Sequence, residues 1–202
     1  MKVSTVKNIQ ATMKLHGFYD GEISGVWDDK SHASFYRIVE AASTKDIKPV
    51  VVEQKYKLSS TSMNRLKGIQ PSLHRVVERA IFLSDVDFMV VEGLRTKAKQ
   101  AEYVRKGASQ TMNSKHLTGD AVDIVPYVNG KADWNDWNNI FAMTTAMQKA
   151  AQELGVNVRW GGAWVLLNGR SGTPYDWVEE YKAAQRKKGK NAFMDGVHFE
   201  LA

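Results

Sequence analysis

Ser114-Lys-His-Leu-Thr-Gly-Asp-Ala-Val-Asp-Ile-Val-Pro126 is the stretch from which the rest of this chain can be read. Its second half, residues 120–126, has the apolar density of a buried strand, which Pro126 should stop. Asp123 interrupts that strand. An ionised carboxylate in such a place is costly unless it is paired or binds a metal. His116 lies upstream at a distance too great for one helical face and well suited to a loop that leads into a strand. Gly119, between them, lets the chain turn so that both side chains can meet one ion.

A second stretch, Asp195-Gly-Val-His-Phe-Glu200, closes the chain with a strand. Val197, Phe199 and Leu201 point one way along it, His198 and Glu200 the other. His116, Asp123 and His198 together offer two imidazoles and one carboxylate, a three-ligand set that leaves a fourth zinc position open to water. Zn2+ is favoured because neutral imidazoles with one carboxylate suit it and hydrolysis needs no redox activity. A two-histidine, one-carboxylate iron oxygenase uses the same ligand types, usually at the tighter spacing His-x-Asp. A tight turn would bring Asp195 over the water, where a carboxylate can take a proton and pass it on.

The composition sets the bounds. At 202 residues, 43% hydrophobic and 25% charged, the chain can bury a real core and is neither disordered nor fibrous. Lys and Arg total 28 against 22 Asp and Glu, a net charge of +6 that suits a polyanionic partner. The basic residues are dispersed, however, and a nucleic-acid module would leave the buried Asp123 without a reason. Cysteine is absent, which excludes disulfides and thiolate metal sites. The first residues lack the apolar core of a signal peptide, and no apolar run approaches a membrane span.

Helical and strand patterns alternate irregularly, which predicts an α+β fold with a small mixed or antiparallel sheet flanked by helices, preceded by a small all-α domain. Residues 1–42 read as that first domain. Its helix over 4–16 has Val6, Ile9, Met13 and Gln10 on the inner side, and a glycine-rich turn follows. Asp28 or Asp29 caps a second helix over 30–42. Residues 43–55, with Pro49, read as a linker. The rest, 56–202, forms one domain. Leu66, Ile69, Leu73, Val76, Val77, Ala80 and Ile81 mark a long amphipathic helix over 62–83, in which Pro71 has to be accommodated by a break or a fresh helix start. Strands follow at 86–92, 120–126, 156–160 and 197–201. Helices fall at 96–106, before Gly155, and at 175–186.

Two resemblances bear on this division. Residues 1–42 resemble the small helical peptidoglycan-binding repeat of wall hydrolases, through Ile9-Gln10, Gly17-Phe-Tyr19 and Gly21-x-Ile-x-Gly25. They depart from it at Ser24 and Ser34. Residues 56–202 resemble the zinc L-alanyl-D-glutamate peptidases of phage endolysins, related to the vancomycin-resistance D-alanyl-D-alanine peptidases. The matching motifs are Phe88-Met-Val-Val-Glu-Gly-Leu-Arg-Thr96 with Gln100, Gly107-Ala-Ser-Gln-Thr111 and Ser114-x-His116-x-x-Gly119-x-Ala121-x-Asp123. They continue with Trp160-Gly-Gly-x-Trp164 and Asp195-x-x-His198-Phe-Glu200. The D-alanyl-D-alanine relatives usually carry Glu where Asp195 stands.

This second resemblance implies that His116, Asp123 and His198 bind zinc and that Asp195 is the general base. It implies that Arg95 contacts the scissile carbonyl or a substrate carboxylate. Ser109 and Ser114 would orient ligands or substrate, and Trp160, with Trp164, would wall the cleft. The partner it implies is peptidoglycan, met by a monomer that binds neither nucleic acid nor an integral membrane. Such a protein would wait in the host cytoplasm and reach the wall after the membrane is opened. A D-alanyl-D-alanine carboxypeptidase or dipeptidase with the same fold is the nearest alternative. A non-catalytic wall-binding protein is another, although a structural zinc would normally have four protein ligands.

Overall fold

The computed structural model describes residues 2–43 and 54–202. The chain divides into two compact units, residues 1–53 and 54–202. Of the linker read at 43–55, residues 44–53 lie outside the described residues.

The first unit holds α1 (Val3–Leu15) and α2 (Asp29–Ser43). Val6 and Met13 are buried as their spacing predicts, and Gln10 rather than Ile9 shares that buried side. A buried amide is costly unless it is hydrogen-bonded. Gln10 donates to the Val26 carbonyl at 2.8 Å and to Ser31 Oγ at 3.0 Å, and its oxygen accepts the Gly25 N–H at 2.9 Å. One side chain thus fastens the glycine-rich turn to both helices. Gly25 has φ +80°, and a Cβ there would lie 2.6 Å from Val3 Cγ1, so the turn closes on α1 only with glycine. Asp28 caps α2 by accepting the Ser31 N–H at 2.8 Å.

In the second unit the helical stretch over 62–83 breaks before Pro71, one of the two ways its proline allowed, and gives two helices, α3 (Ser60–Arg65) and α4 (Pro71–Leu83). Pro71 cannot donate to a preceding turn, so it opens α4, where its missing N–H costs nothing. There follow β1 (Phe88–Glu92), α5 (Lys97–Arg105), a 3-10 turn (Lys115–Leu117) and β2 (Ala121–Val128). Then come β3 (Lys131–Ala132), α6 (Trp137–Leu154), β4 (Val158–Trp160), β5 (Val165–Leu166), α7 (Pro174–Lys187) and β6 (His198–Leu201). Pro126 does not stop β2, as expected, but sits inside it. There it needs only to accept, taking the Asp133 N–H at 2.8 Å, while Tyr127 donates to the Asp87 carbonyl.

The six strands form one antiparallel sheet in the order β1-β2-β6-β4-β5, with β3 paired to β2. Val90, Val122, Ile124, Trp160 and Phe199 join Leu73, Val76 and Val77 of α4 and Ile140, Met143 and Met147 of α6 in one core. Burying each such aliphatic side chain stabilises the fold by roughly 1.5–3 kcal/mol. The period of two then commits Asp123, Arg159, His198 and Glu200 to the opposite face. A register shift between Val90 and Glu92 brings Glu92 opposite Asp123 and adds it to that face. The fold is α+β, an antiparallel sheet flanked by helices.

Candidate metal centre and active site

His116 is placed by the 3-10 turn. Ser114 accepts the His116 N–H, and Arg95 donates its backbone N–H to the His116 carbonyl at 2.9 Å. Gly119, at φ +76°, lets the chain return into β2; a Cβ there would lie 2.4 Å from the Gly68 carbonyl oxygen. The imidazole Nδ1 lies 2.7 Å from the Gly93 carbonyl, which only an N–H can satisfy. That leaves Nε2 as an acceptor facing inward.

Asp123 and His198 are registered partners across β2 and β6. Asp123 Oδ1 lies 3.2 Å from His116 Nε2 and 3.0 Å from His198 Nδ1, and the two ring nitrogens are 3.3 Å apart. The three donor atoms all fall within 4.8 Å of one another. On its far side His198 Nε2 donates to Glu200 Oε2 at 3.1 Å. Glu200 is buried and is itself held by Arg159, whose Nε donates at 2.7 Å to Oε1 and whose Nη2 joins the same oxygen. Both imidazoles therefore have one nitrogen tied to the protein and the other turned to a shared point beside a carboxylate. That donor set fits a divalent zinc-like ion.

Electrostatics follow from this packing. Burial works against the charge on Asp123, but the two imidazoles beside it, His116 and His198, outweigh burial and hold the carboxyl well below its usual range. Burial likewise opposes a charge on His198, yet Asp123 and Glu200 on either side push it up to about 9.

Asp195 lines the same cleft. Its backbone N–H donates to the Gly161 carbonyl at 3.0 Å, and its own carbonyl accepts the His198 N–H at 3.2 Å, so a tight turn carries it to the metal-ligand set as its spacing predicts. Gly161 permits that turn: a Cβ there would lie 2.6 Å from the Asp195 carbonyl oxygen and 3.1 Å from His198 Cβ. Burial, then the nearby Asp123 charge, pushes the Asp195 carboxyl up. A carboxylate with a raised pKa is a better proton acceptor than one in water.

Arg95 is buried at the β1 side of the cleft. Its guanidinium donates to Gln100 Oε1 and Glu92 Oε2, each at 2.7 Å, and Nη2 lies 3.6 Å from Asp123 Oδ2. Tyr103 lies beneath it, with the ring centroid 4.6 Å away. Gln100 continues the chain of bonds to Ser109 Oγ at 2.9 Å and to the Thr111 carbonyl at 2.6 Å. Ser109 and Ser114 line the cleft, and both are engaged in local bonds. Trp160 does not line it. Its indole is fully buried and donates to the Gly196 carbonyl at 2.8 Å, because strand parity turns it into the core.

The cleft encloses about 900 Å³. Sequence reasoning missed several of its walls: Lys99 and Tyr103 from α5, Arg159 from β4, and Phe193 and Trp134 from loops. The parity of β4, with Arg159 between the core residues Val158 and Trp160, could have pointed to Arg159. Nothing local marks Trp134 or Phe193.

The model of the family described as phage L-alanyl-D-glutamate peptidase matches residues 54–202, beginning where the second unit begins. The L-alanyl-D-glutamate peptidase of Escherichia phage T5 is 37% identical over 149 residues, which cover 72% of this chain and 98% of that protein. That of Listeria phage A118 is 29% identical over 109 residues, 54% of this chain and 37% of the relative. Among solved structures, the L-Ala D-Glu endopeptidase ChiX of Serratia marcescens superposes with a TM-score of 0.57 at 34% identity, covering 77% of this chain and 96% of that one.

Proposed function

This chain belongs to the phage L-alanyl-D-glutamate peptidase family, and from that membership we propose how its own residues cut peptidoglycan. The protein is a peptidoglycan hydrolase, and the bond is the amide between L-alanine and D-glutamate in the stem peptide. The observation that carries the mechanism is the convergence of His116 Nε2, Asp123 Oδ1 and His198 Nδ1 within 4.8 Å, beside Asp195.

His116, Asp123 and His198 hold the ion. A zinc ion there supplies a Lewis acid that brings the pKa of a water molecule to about 7 and polarises a carbonyl oxygen. Asp195 takes the proton of the attacking water and returns it to the departing amine. Its raised pKa suits both halves of that transfer. Arg95 keeps Asp123 in place and sets a fixed positive charge beside the site, where negative charge develops on the substrate oxygen. Glu200, backed by Arg159, fixes the His198 ring with Nδ1 inward. Ser114 sets the 3-10 turn that carries His116, and Ser109 steadies Gln100 behind Arg95.

The first unit acts as a tether to the wall, converting encounters with an insoluble polymer into local ones. The positive net charge adds attraction to an anionic envelope. In an infected cell the chain acts at the wall once the cytoplasmic membrane is opened. No helix among the described residues is long and apolar enough to cross a membrane.

The test is digestion of purified peptidoglycan with and without a zinc chelator, with the new termini identified by mass spectrometry. New amino-terminal D-glutamate, lost with chelator and restored by zinc, supports the reading. Released D-alanine would move the activity to the carboxypeptidase branch, and an uncut wall that still binds protein would leave a silent metal site.

A further inference from the structure

The cleft runs across the sheet, and its two ends differ in chemistry. On the β1 side stand the cations Arg95 and Lys99, both paired with Glu92, with Asp123 Oδ2 a further 3.6 Å from Arg95. The metal-ligand set lies in the middle, on β2 and β6 and the turn before β2. On the β4–β5 side stand Trp164 and Phe193, and there Arg159 is paired with Glu200.

Trp164 is built in with unusual care. Its backbone has φ +55°, a region that a bulky aromatic residue rarely adopts and that glycine or asparagine would fill without strain. Its indole N–H donates to the Phe193 carbonyl at 2.8 Å, and its ring stacks on Phe193 with centroids 6.2 Å apart and planes 18° apart. It also stands 5.9 Å from the His198 ring. Phe193 is 44% exposed. A half-buried Trp164, anchored by its hydrogen bond against an exposed Phe193 in a cleft, is a surface for the flat C–H face of a sugar.

We propose that the substrate lies across the sheet in one direction, with the muramyl sugar on the Trp164–Phe193 ledge and the D-glutamate carboxylate toward Arg95 and Lys99. The proposal rests on the L-alanyl-D-glutamate reading above. The chemistry of that substrate supplies the match. On one side of the scissile amide is L-alanine, attached through a lactyl group to a sugar ring. On the other is D-glutamate, whose free carboxylate sits next to the bond, followed by further charged residues. Reversed, the substrate would lay its carboxylates on an aromatic ledge and its sugar against two cations.

Two measurements test this. The first compares kcat/KM on a stem peptide carrying N-acetylmuramic acid with that on the same peptide bearing a free L-alanine amine, in the zinc-loaded full chain. The wild-type ratio should favour the sugar by about tenfold or more, and Phe193→Ala, an exposed position, should bring it toward one. Trp164→Phe, which keeps a ring and loses the N–H anchor, should give an intermediate ratio. The second follows the indole N–H resonances of the metal-free chain during titration with N-acetylmuramyl-L-alanine. Trp164 should shift saturably, while the core indoles Trp160 and Trp177 stay still. A wild-type ratio near one with no Trp164 shift would overturn the orientation while leaving the peptidase reading intact. Failure to cut either peptide, with the Trp164 shift present, would overturn the peptidase reading and leave the sugar site standing. A ratio that falls when the residue after D-glutamate is removed, rather than the sugar, would reverse the direction.

Discussion

His198 stands directly opposite Asp123 in the ladder between β2 and β6, and its Nδ1 lies 3.0 Å from the Asp123 carboxylate. A strand pair therefore sets the distance between two of the proposed metal ligands. Asp123 and Glu200, on either side of the ring, push His198 up to about 9 in the metal-free chain despite its burial. An imidazole must lose its Nδ1 proton to ligate. Below about pH 9 each ion bound should release that proton, and apparent affinity should rise about tenfold per pH unit toward that value, then level off. Titration calorimetry at pH 7 in buffers of differing ionisation enthalpy should register the proton. Identical heats in all buffers would show that His198 is already neutral.

The ligands and the base should separate cleanly. His116→Ala or His198→Ala removes one of three donors, so zinc content and activity should vanish together. Asp195→Asn leaves all three donors in place. It should bind zinc at the wild-type stoichiometry and lower kcat by about 10²–10⁴. Zinc lost from Asp195→Asn would contradict its role as base.

Glu200 and Arg159 act on the metal through His198. Glu200→Ala frees the ring to turn and should weaken zinc binding by about 10–100-fold. Glu200→Gln still offers an acceptor to His198 Nε2 and should recover much of that loss. Arg159→Ala should fall between them, since the Glu200 carboxylate keeps one partner in His198. Competition with a chromophoric chelator gives the affinities. Equal losses in the alanine and glutamine variants would mean that Glu200 supports the strand and not the ring.

How much of this was legible in the sequence follows from what local signals can encode. Asp123 and His198 each break an apolar strand pattern, and parity alone put them opposite the core. The tight turn between Asp195 and His198 was legible from their spacing. Strand parity turns Trp160 into the core, whereas its reading as a cleft wall came from the family resemblance and not from its own strand. The break at Pro71 was foreseeable in kind, although the periodicity ran through it. Pro126 misled because a strand position that only accepts hydrogen bonds tolerates proline. The Glu92 register shift and the Trp164–Phe193 contact join residues far apart in sequence, and no pattern within one element encodes them.

The last prediction concerns Gly161, which touches no substrate. Its N–H donates to the His198 carbonyl at 2.9 Å, and its carbonyl accepts the Asp195 N–H at 3.0 Å, so one residue spaces base and ligand. In Gly161→Ala the new Cβ would meet the Asp195 carbonyl oxygen at 2.6 Å, a backbone atom that cannot swing aside like a side-chain tip. Overpacking of this kind costs about 1–3 kcal/mol. Displacing Asp195 by about 1 Å is a larger matter for the chemistry, on the order of 10²-fold in kcat. Gly169→Ala is the control. It sits at φ +69° with nothing within 4 Å, so strain costs stability without moving the cleft. Thermal unfolding and kcat measured on both variants should show comparable losses of Tm but a loss of activity confined to Gly161→Ala. If both variants keep wild-type kcat, the close approach at Gly161 is not what positions Asp195.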